Sequence, residues 1–360
     1  MTDLPIESAL PDLLDHLTRT NAAVLQAPPG AGKTTRVPLA LLPQSWVEGR
    51  RIIMLEPRRL AARAAARRMA SMLGEQIGET VGYRIRQEQK IGPQTRIEVV
   101  TEAILTRMIQ DDPGLEGVAA VLFDEFHERN LNADLGLALC LETQGSLRPD
   151  LRLLVMSATL DGGAVSQLLG NAPIVTCEGR AYPVDIRWSE RPLPGRFIDG
   201  VSALIFRALA ENPDGDLLVF LPGQSEIRRV QARLAEQRPD LLLAPLYGAL
   251  SQQEQDLALQ PHPTRRRVVL ATAIAETSLT IEGVKLVVDG GLMRVSRFDP
   301  GGGMGRLVTL PVAKSAAEQR RGRAGRLGPG FCYRLWSEAE HRALPAFAAP
   351  EIREADLAPL

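Results

Sequence analysis

The amino-acid sequence predicts an α/β protein with two tandem domains, each built around a parallel sheet. Short apolar runs alternate with longer segments of helical length, and this alternation starts again in the second half of the chain. Strands that are apolar throughout and separated by helices are typical of parallel sheets covered on both faces. The chain of 360 residues is long enough for two such domains.

The first set of apolar runs predicts the strands of domain 1, which we place at residues 1–179. These runs are Ala22–Gln26, Arg51–Leu55, Ile97–Val100, Val118–Phe123 and Leu151–Met156. The helical segments between them include Leu60–Leu73 and Leu131–Leu141. Gly179–Pro194, which is rich in proline and arginine, marks the break between the domains.

The second set predicts the strands of domain 2, at residues 180–345. These runs are Leu217–Leu221, Leu241–Ala244, Val268–Ala271 and Leu286–Asp289, and the helical segments beside them are Ile198–Ala210 and Gln224–Ala235. Two short β-like runs flank a glycine turn at residues 291–311 and predict a hairpin inserted in this domain. A flexible loop is the alternative interpretation of the same residues.

The composition restricts the class of protein. A hydrophobic fraction of 45% and a charged fraction of 24% are typical of soluble globular proteins. Because the net charge is −1, any nucleic-acid-binding surface has to be local, for example an arginine cluster. Three widely spaced cysteines form neither a disulfide framework nor a zinc pattern, which favours a cytoplasmic protein. The acidic N-terminus is no signal peptide, and no apolar run is long enough to span a membrane.

A phosphate-binding turn is predicted directly after the apolar run Ala22–Gln26. Glycines let the backbone approach phosphate groups, which then meet the N–H groups at the start of the following helix. In such a turn Lys33 contacts the β- and γ-phosphates, and the Thr34 hydroxyl holds Mg²⁺. Ala27 stands where the usual pattern has its first glycine. The residues of the turn are Ala27, Pro28, Pro29, Gly30, Ala31, Gly32, Lys33, Thr34 and Thr35.

Two carboxylates, Asp124 and Glu125, follow the apolar run Val118–Phe123. Ligands of open parallel sheets bind at the carboxyl ends of the strands. We therefore expect Asp124 to hold Mg²⁺ and Glu125 to polarise the attacking water. Ordinary surface carboxylates are the alternative, which the presence of the phosphate-binding turn disfavours.

Two further segments place polar groups at the ends of predicted elements. Ser157–Thr159 follows the run Leu151–Met156, and its hydroxyl groups could relay the phosphate state through hydrogen bonds. The tripeptide is common, so taken alone it favours an ordinary strand end without such a role. In domain 2, Gln319–Arg326 contains arginines spaced by three, which share one face of a helix. Arginine suits the charge on a transferring phosphoryl group. A patch that binds nucleic-acid phosphates is the alternative.

Nine segments occur in the order found in superfamily-2 helicases of the DEAH-box type, which the chain resembles from residue 15 to residue 360. They are residues 30–35, 57–62, 101–105, 124–129, 157–159, 220–227, 245–250, 271–281 and 319–326. Phe126 and the Ala-Pro-Pro-Gly-Ala-Gly turn are similar to the bacterial HrpB group of this family. The resemblance implies two RecA-like P-loop domains with ATP between them and Mg²⁺ as cofactor. It also implies a helicase that couples hydrolysis of ATP, or of other nucleoside triphosphates, to movement along single-stranded RNA and to duplex unwinding.

The resemblance implies roles for individual residues at the nucleotide. Gln319 helps to orient the attacking water, and Arg323 and Arg326 are the paired arginine fingers. Arg320 lies near the phosphates, and Arg68 stacks on the nucleotide base.

Other implied roles concern the strand path. The residues that couple it to the ATP site are His127, Ser157 and Thr159. The residues that hold the backbone of single-stranded RNA are Arg58, Arg59, Arg86, Thr101 and Thr272. The hairpin acts at the duplex junction.

The sequence departs from the family pattern on the implied strand path. Glu102-Ala103 replaces the usual Asp-Gly, and Ala273 replaces a common asparagine, which puts details of the RNA contact in doubt. Residues 346–360 resemble the start of a winged-helix domain, so we expect the chain to be a piece of a longer protein. Without the modules that usually complete the strand channel, it is expected to bind RNA poorly on its own. We also expect a monomer. No protein partner is indicated.

Two other functions fit the same residues. An ATP-gated clamp would hold RNA or a protein without productive unwinding, although Glu125 and the arginine fingers favour real hydrolysis. A DNA-directed helicase is the second, because contacts to phosphates need not sense the 2′-hydroxyl of RNA. ATP turnover measured with and without RNA distinguishes the clamp from a helicase. Competition between RNA and DNA oligomers distinguishes the DNA-directed helicase from the RNA helicase.

Overall fold

The structure is a computed structural model that describes residues 4–158, 162–179, 182–190, 197–276, 281–299, 301–302 and 304–357. The chain divides into two compact units. Unit 1 is Met1–Arg180 with Pro350–Arg353, and unit 2 is Ala181–Ala349 with Glu354–Leu360. The predicted helical start at Pro350 is a single 3₁₀ turn, Glu351–Arg353. The winged-helix assignment of residues 346–360 stays a prediction.

The strands of unit 1 form one sheet in the order β4-β3-β5-β2-β6-β7-β1-β8. Their bounds are β1 Ala22–Gln26, β2 Arg51–Glu56, β3 Val81–Ile85, β4 Glu88–Lys90, β5 Ile97–Thr101, β6 Val118–Phe123, β7 Arg152–Ser157 and β8 Ile174–Thr176. All neighbouring strands run parallel except the edge strand β4, which is antiparallel to β3. The carboxyl ends of the parallel strands therefore lie along one edge of the sheet.

Helices cover both faces of this sheet. They are α1 Leu10–Arg19, α2 Lys33–Leu41, α3 Arg59–Leu73, α4 Glu102–Asp111, α5 Leu131–Ser146 and α6 Gly162–Leu168. Successive residues of β2 enter different cores, since Ile52 and Met54 belong to one buried cluster and Ile53 and Leu55 to the other. This two-sided burial explains why the strand is apolar throughout.

Unit 2 contains a parallel sheet in the order β11-β12-β10-β13-β16-β9. The strands are β9 Val184–Trp188, β10 Asp216–Phe220, β11 Leu242–Leu246, β12 Arg267–Ala271, β13 Val284–Asp289 and β16 Gly330–Arg334. The helices of this unit are α7 Phe197–Glu211, α8 Gln224–Gln237, α9 Gln252–Leu259, α10 Lys314–Gly322 and α11 Glu338–Ala343.

The predicted hairpin is confirmed. Strand β14 (Leu292–Asp299) pairs antiparallel with β15 (Met304–Pro311), from Leu292 opposite Pro311 to Asp299 opposite Met304. Pro300 and Gly303 of the predicted turn lie outside the described residues. Arg297 holds the carboxylate of Glu354 with two hydrogen bonds of 2.7 and 2.8 Å, which ties β14 to the last described residues of unit 2.

The strands that carry the predicted motifs agree with their predicted bounds to within two residues. The structure adds strands that the sequence did not predict, namely β3, β4, β8, β9 and β16. These strands are short or carry charged and glycine residues within their runs. Strands of this kind lack the continuous apolar pattern from which the others were predicted.

Candidate active site

The turn between β1 and α2 has the backbone shape that the sequence predicts for a phosphate-binding loop. Gly30 and Gly32 both lie in the left-handed region, with φ of 85° and 99°. This backbone conformation disfavours any other residue at Gly32, and a Cβ there would also lie 2.8 Å from Leu4 Cδ1, which would have to move. The N–H of Ala27 donates to the carbonyl of Ser157 at 2.9 Å, which fixes the start of the turn on β7.

The predicted nucleotide-binding residues 27–35 thus form this turn and the first residues of α2. Helix α2 begins at Lys33, and its N-cap is Gly32, which has no side chain to satisfy the first N–H groups. Such a helix start attracts anions through its N–H groups and its dipole. The geometry is therefore suited to a phosphate group.

Lys33 and Thr34 face the two carboxylates at the end of β6. The Nζ of Lys33 donates to Glu125 Oε1 at 2.8 Å and lies 3.6 Å from Asp124 Oδ1. The hydroxyl of Thr34 donates to Asp124 Oδ2 at 2.5 Å. Burial alone would lower the pKa of Lys33, but the charges of Asp124 and Glu125 outweigh burial and raise it. The lysine is therefore held in its charged form.

A further buried carboxyl, Glu56, belongs to the same cluster and was missed from the sequence. It ends β2, beside the strand that carries Asp124, and it is 1% exposed. Burial first, and then the neighbouring charges of Asp124 and Glu125, raise the pKa of Glu56 well above its ordinary value. Burial likewise raises the pKa of Asp124, although Lys33 opposes this shift. The signal in the sequence is a lone glutamate at the end of the apolar run Arg51–Leu55.

The backbone changes direction sharply at Glu125. This residue has a left-handed φ of 50°, and the 3₁₀ turn Phe126–Glu128 begins after it. A non-glycine residue in this region costs on the order of 1–3 kcal/mol, and such residues cluster at functional sites. The turn brings His127 Nδ1 to 3.5 Å from Glu125 Oε2.

The predicted coupling residues are brought together as far as the structure describes them. The N–H of Ala158, next to the buried Ser157, donates to His127 Nδ1 at 3.4 Å. His127 therefore lies between the carboxylates of β6 and the end of β7. Thr159 lies outside the described residues.

The candidate RNA-binding residues of unit 1 lie near the same edge of the sheet. Arg58 precedes α3, and its Nη2 lies 3.1 and 3.2 Å from the carboxylate oxygens of Glu128. Thr101 ends β5. The exposed arginines of this set are Arg59 at the start of α3 and Arg86 in the turn after β3, and Arg68, the predicted base-stacking residue, is exposed on α3. Their contacts with nucleic acid or nucleotide stay predictions.

The arginine run of unit 2 does not form one continuous helix. Helix α10 ends at Gly322, and the 3₁₀ turn Arg323–Gly325 follows, because glycine is a poor helix former. Gly325 allows a close backbone approach, since a Cβ there would lie 2.7 Å from the carbonyl oxygen of Tyr182. Arg323 is buried and Arg326 is half-buried. The Nε of Arg323 donates to the carbonyl of Glu276 at 2.8 Å.

Arg320 contacts carboxylates of unit 2, although the sequence predicts a phosphate nearby. It is 1% exposed, and its guanidinium binds Glu276 Oε1 at 2.6 and 2.7 Å and Asp289 Oδ1 at 2.7 Å. It also lies 4.9 Å from the ring centroid of Phe220. These contacts assign Arg320 a structural task within unit 2, and its contact with nucleotide stays a prediction.

The other predicted residues of unit 2 lie on the same elements. Gln319 is buried on α10, next to Arg320. Thr272 follows β12, and its N–H donates to the carbonyl of Leu246 at 3.2 Å.

The donor set at the end of β6 fits Mg²⁺. Oxygen ligands from Thr34 and Asp124 are of the kind that Mg²⁺ prefers, and the ion usually keeps several waters and binds substrate phosphates as well. Within the part of the chain that the structure describes, no group of three or more His, Cys, Asp or Glu side chains forms a metal chelate by itself. The two oxygen ligands from Thr34 and Asp124 are compatible with an ion that also binds phosphates.

Models of two protein families match the chain. The DEAD/DEAH box helicase model matches residues 7–168, and the helicase conserved C-terminal domain matches residues 200–328. The chain belongs to the DEAD/DEAH-box helicase family. This membership confirms the resemblance inferred from the motifs, and the two tandem domains are RecA-like, as predicted.

Relatives cover the whole chain. It is 51% identical over 362 residues to the ATP-dependent RNA helicase HrpB of Escherichia coli, covering 100% of this chain and 44% of the relative. It is 38% identical over 366 residues to the pre-mRNA-splicing factor ATP-dependent RNA helicase prp22 of Schizosaccharomyces pombe, covering 98% of this chain and 31% of that protein. The chain thus spans less than half the length of these relatives.

A solved structure agrees closely with the fold. The crystal structure of the Escherichia coli DEAH/RHA helicase HrpB matches with a TM-score of 0.92 at 51% identity, covering 98% of this chain and 45% of that chain. This match confirms the similarity to the HrpB group. Among the helices that the structure describes, none combines the length and the apolarity required to cross a bilayer.

We expect Arg320→Ala to destabilise unit 2 by about 3–5 kcal/mol, because it leaves Glu276 and Asp289 without their buried partner. Urea unfolding measures the loss. Arg321→Ala is the control, since Arg321 is partly exposed and pairs with Glu318 on the surface, so its loss should stay within about 1 kcal/mol. A small change for Arg320→Ala together with weakened nucleotide binding would show that Arg320 is a phosphate ligand instead.

The raised pKa of the buried Glu102 carboxyl makes the free energy of unfolding depend on pH. Burial raises the pKa of Glu102 to about 8 against a hydrogen bond from Asn130, from an ordinary value of 4.5. The folded state then binds more protons than the unfolded state between these two pKa values, so the free energy of unfolding falls as pH rises through this window. Each unit of pKa difference corresponds to about 1.4 kcal/mol.

The Glu102→Gln variant tests this sign. Because glutamine does not ionise, we expect the variant to lose less stability than the parent protein between pH 5 and pH 8. Urea unfolding at several pH values measures both, and Glu142→Gln on the exposed side of α5 is the control. Parallel pH profiles for Glu102→Gln and the parent protein would contradict the assignment.

Proposed function

We propose that the chain is the ATP-hydrolysing part of a helicase that moves along single-stranded RNA and unwinds RNA duplexes. The observation that carries this proposal is the cluster at the sheet edge of unit 1, where Lys33 and Thr34 of the phosphate-binding turn contact Asp124 and Glu125. The names of the relatives, ATP-dependent RNA helicases, support the nature of the reaction and of the strand.

The residues of unit 1 act on the triphosphate in complementary ways. The turn 27–32 and the start of α2 bind the phosphates. The ammonium group of Lys33 leaves Glu125 and contacts oxygens of the β- and γ-phosphates. Thr34 and Asp124 hold Mg²⁺, and the ion neutralises negative charge on the phosphates. Glu125, freed from the lysine, orients the attacking water and accepts its proton. The left-handed backbone at Glu125 keeps the carboxylate at this position.

The residues of unit 2 supply the remaining chemistry. Gln319 orients the attacking water, and Arg323 and Arg326 stabilise the charge that develops on the transferring phosphoryl group. His127 and the end of β7, Ser157 to Thr159, pass the state of the nucleotide to the strand path. Backbone contacts of Arg58, Arg59, Arg86, Thr101 and Thr272 give binding with little sequence preference and strong salt dependence.

The reaction is proposed to take place in the cytoplasm, on RNA with a single-stranded overhang. The protein is proposed to act as a monomer and to accept other nucleoside triphosphates besides ATP, because no base-reading motif is visible in the sequence.

Three measurements separate this function from its alternatives. ATP turnover with and without single-stranded RNA distinguishes a helicase motor from an ATP-gated clamp, which would bind RNA tightly with ATP but turn over negligibly. Competition between matched RNA and DNA oligomers shows whether the protein acts on RNA or on DNA. Running the assays on this chain and on a longer form with added RNA shows how much the flanking modules contribute.

Glu125→Gln is expected to keep ATP binding and to lower turnover by about 10²–10⁴-fold, because the amide no longer accepts the proton of the attacking water. Single-turnover phosphate release and binding of a fluorescent ATP analogue measure the two properties. Glu142→Gln, on the exposed side of α5, should retain both. Substantial hydrolysis by Glu125→Gln would remove this residue from the catalytic role.

Arg326→Ala is expected to slow hydrolysis by about 10³-fold and to leave ATP affinity little changed, because an arginine finger acts mainly on the transition state. The same two assays measure the effect, with Arg321→Ala as the matched control. A collapse of ATP affinity would instead identify Arg326 as a ligand of the ground state.

A further inference from the structure

Glu56 lies at the nucleotide site because of the register of two neighbouring strands. Leu55 of β2 is paired with Phe123 of β6, and the next residue on each strand is a carboxylate, Glu56 and Asp124. Paired residues of neighbouring strands point to the same face of a sheet. Glu56 therefore continues the face of Met54 and stands beside Asp124, on the side where α2 supplies Lys33.

The surroundings of Glu56 differ from those of an ordinary buried carboxylate in the same sheet. Glu98 on β5 is also 1% exposed, but its oxygens lie 2.8 Å from Arg84 Nε and 3.2 Å from Arg51 Nη1. Glu56 instead faces Asp124 and Glu125 and shares a hydrogen bond with Asp124, while its Oε2 has no hydrogen-bond partner among the described residues. Buried polar atoms are normally hydrogen-bonded, so an atom without a protein partner is suited to a bound water or ion.

Lys33 does not complete the pairing of Glu56. The ammonium group of Lys33 donates to Glu125 and approaches Asp124, whereas the carboxyl of Glu56 shares a hydrogen bond with Asp124. Glu56 therefore stands directly behind the residue that Mg²⁺ would contact. Side chains that hydrogen-bond a ligating carboxylate orient it toward the ion.

We propose that Glu56 is a third carboxylate of the Mg²⁺ site, which stabilises the ion from outside its ligand shell through Asp124 and metal-bound water. This inference rests on the proposed function, since it needs a nucleotide-bound Mg²⁺ held by Thr34 and Asp124. The outer position agrees with the lack of a self-sufficient chelate among the described side chains. Partners outside the ligand shell typically change metal affinity by about 10–100-fold.

The test is the Mg²⁺ dependence of nucleotide binding, measured without turnover. A fluorescent, non-hydrolysable ATP analogue is bound to the parent protein and to Glu56→Gln while Mg²⁺ is titrated from zero in the presence of a chelator. We expect the half-saturating Mg²⁺ concentration to rise about 10–100-fold in Glu56→Gln. Without Mg²⁺, the analogue should bind Glu56→Gln and the parent protein equally tightly, because the proposed effect of Glu56 acts through the ion.

Mn²⁺ binding followed by electron paramagnetic resonance gives a second readout on the nucleotide complex, and its midpoint should move in the same direction. Glu98→Gln is the matched control, since it removes a buried carboxylate from the neighbouring strand that is paired with arginines. Its metal dependence should equal that of the parent protein. Thermal melting monitors folding of each variant.

An unchanged metal midpoint in folded Glu56→Gln overturns the inference, and so does an equal shift in Glu98→Gln. If Glu56→Gln does not fold, Glu56→Asp decides, because its shorter side chain withdraws the carboxylate from the water-mediated contact. A raised midpoint then supports the proposal and an unchanged one overturns it. Failure of the parent protein to bind the analogue with Mg²⁺ contradicts the proposed function itself and is thereby distinguished.

Discussion

The contact between Lys33 and the carboxylates at the end of β6 is the interaction on which the rest of the site depends. A buried ammonium group is costly unless it is paired, and Glu125 and Asp124 pair it at 2.8 and 3.6 Å. This contact joins the phosphate-binding turn to the carboxylates that we propose for catalysis. In the proposed function, phosphates and Mg²⁺ would take the place of the lysine–carboxylate pairs and keep the buried charges matched.

The parallel sheet of unit 1 gathers these groups at one edge. Strand β1 leads into the turn, β6 ends before Asp124, and β7 ends at Ser157. The end of β2 carries groups with two proposed roles, since Glu56 stands beside Asp124 and Arg58, two residues later, binds Glu128 next to His127. In the proposed function, a change at the phosphates and a change along the strand path would therefore act on neighbouring residues of the same backbone.

The residues predicted from sequence are those that belong to continuous motifs. The turn at 27–35 and the pair Asp124–Glu125 were found because each directly follows its own apolar run, although Lys33 and Glu125 lie 92 residues apart. Glu56 was missed because its importance depends on β2 lying beside β6, and strand order is not written in a single apolar run. Arg320 was expected near phosphate, but its partners, Glu276 and Asp289, lie 44 and 31 residues away in sequence. The edge strand β4 and its neighbour β3 escaped prediction because their sequences lack a continuous apolar run.

The most direct measurement is a crystal structure of the chain with Mg²⁺ and a non-hydrolysable ATP analogue. The account predicts that Lys33 Nζ leaves Glu125 for oxygens of the β- and γ-phosphates, that Mg²⁺ lies against Thr34 and Asp124, and that the Glu125 carboxylate faces a water next to the γ-phosphate. A structure in which the analogue is bound while Lys33 keeps its bond to Glu125, with the phosphates away from the turn at 27–35, would contradict it.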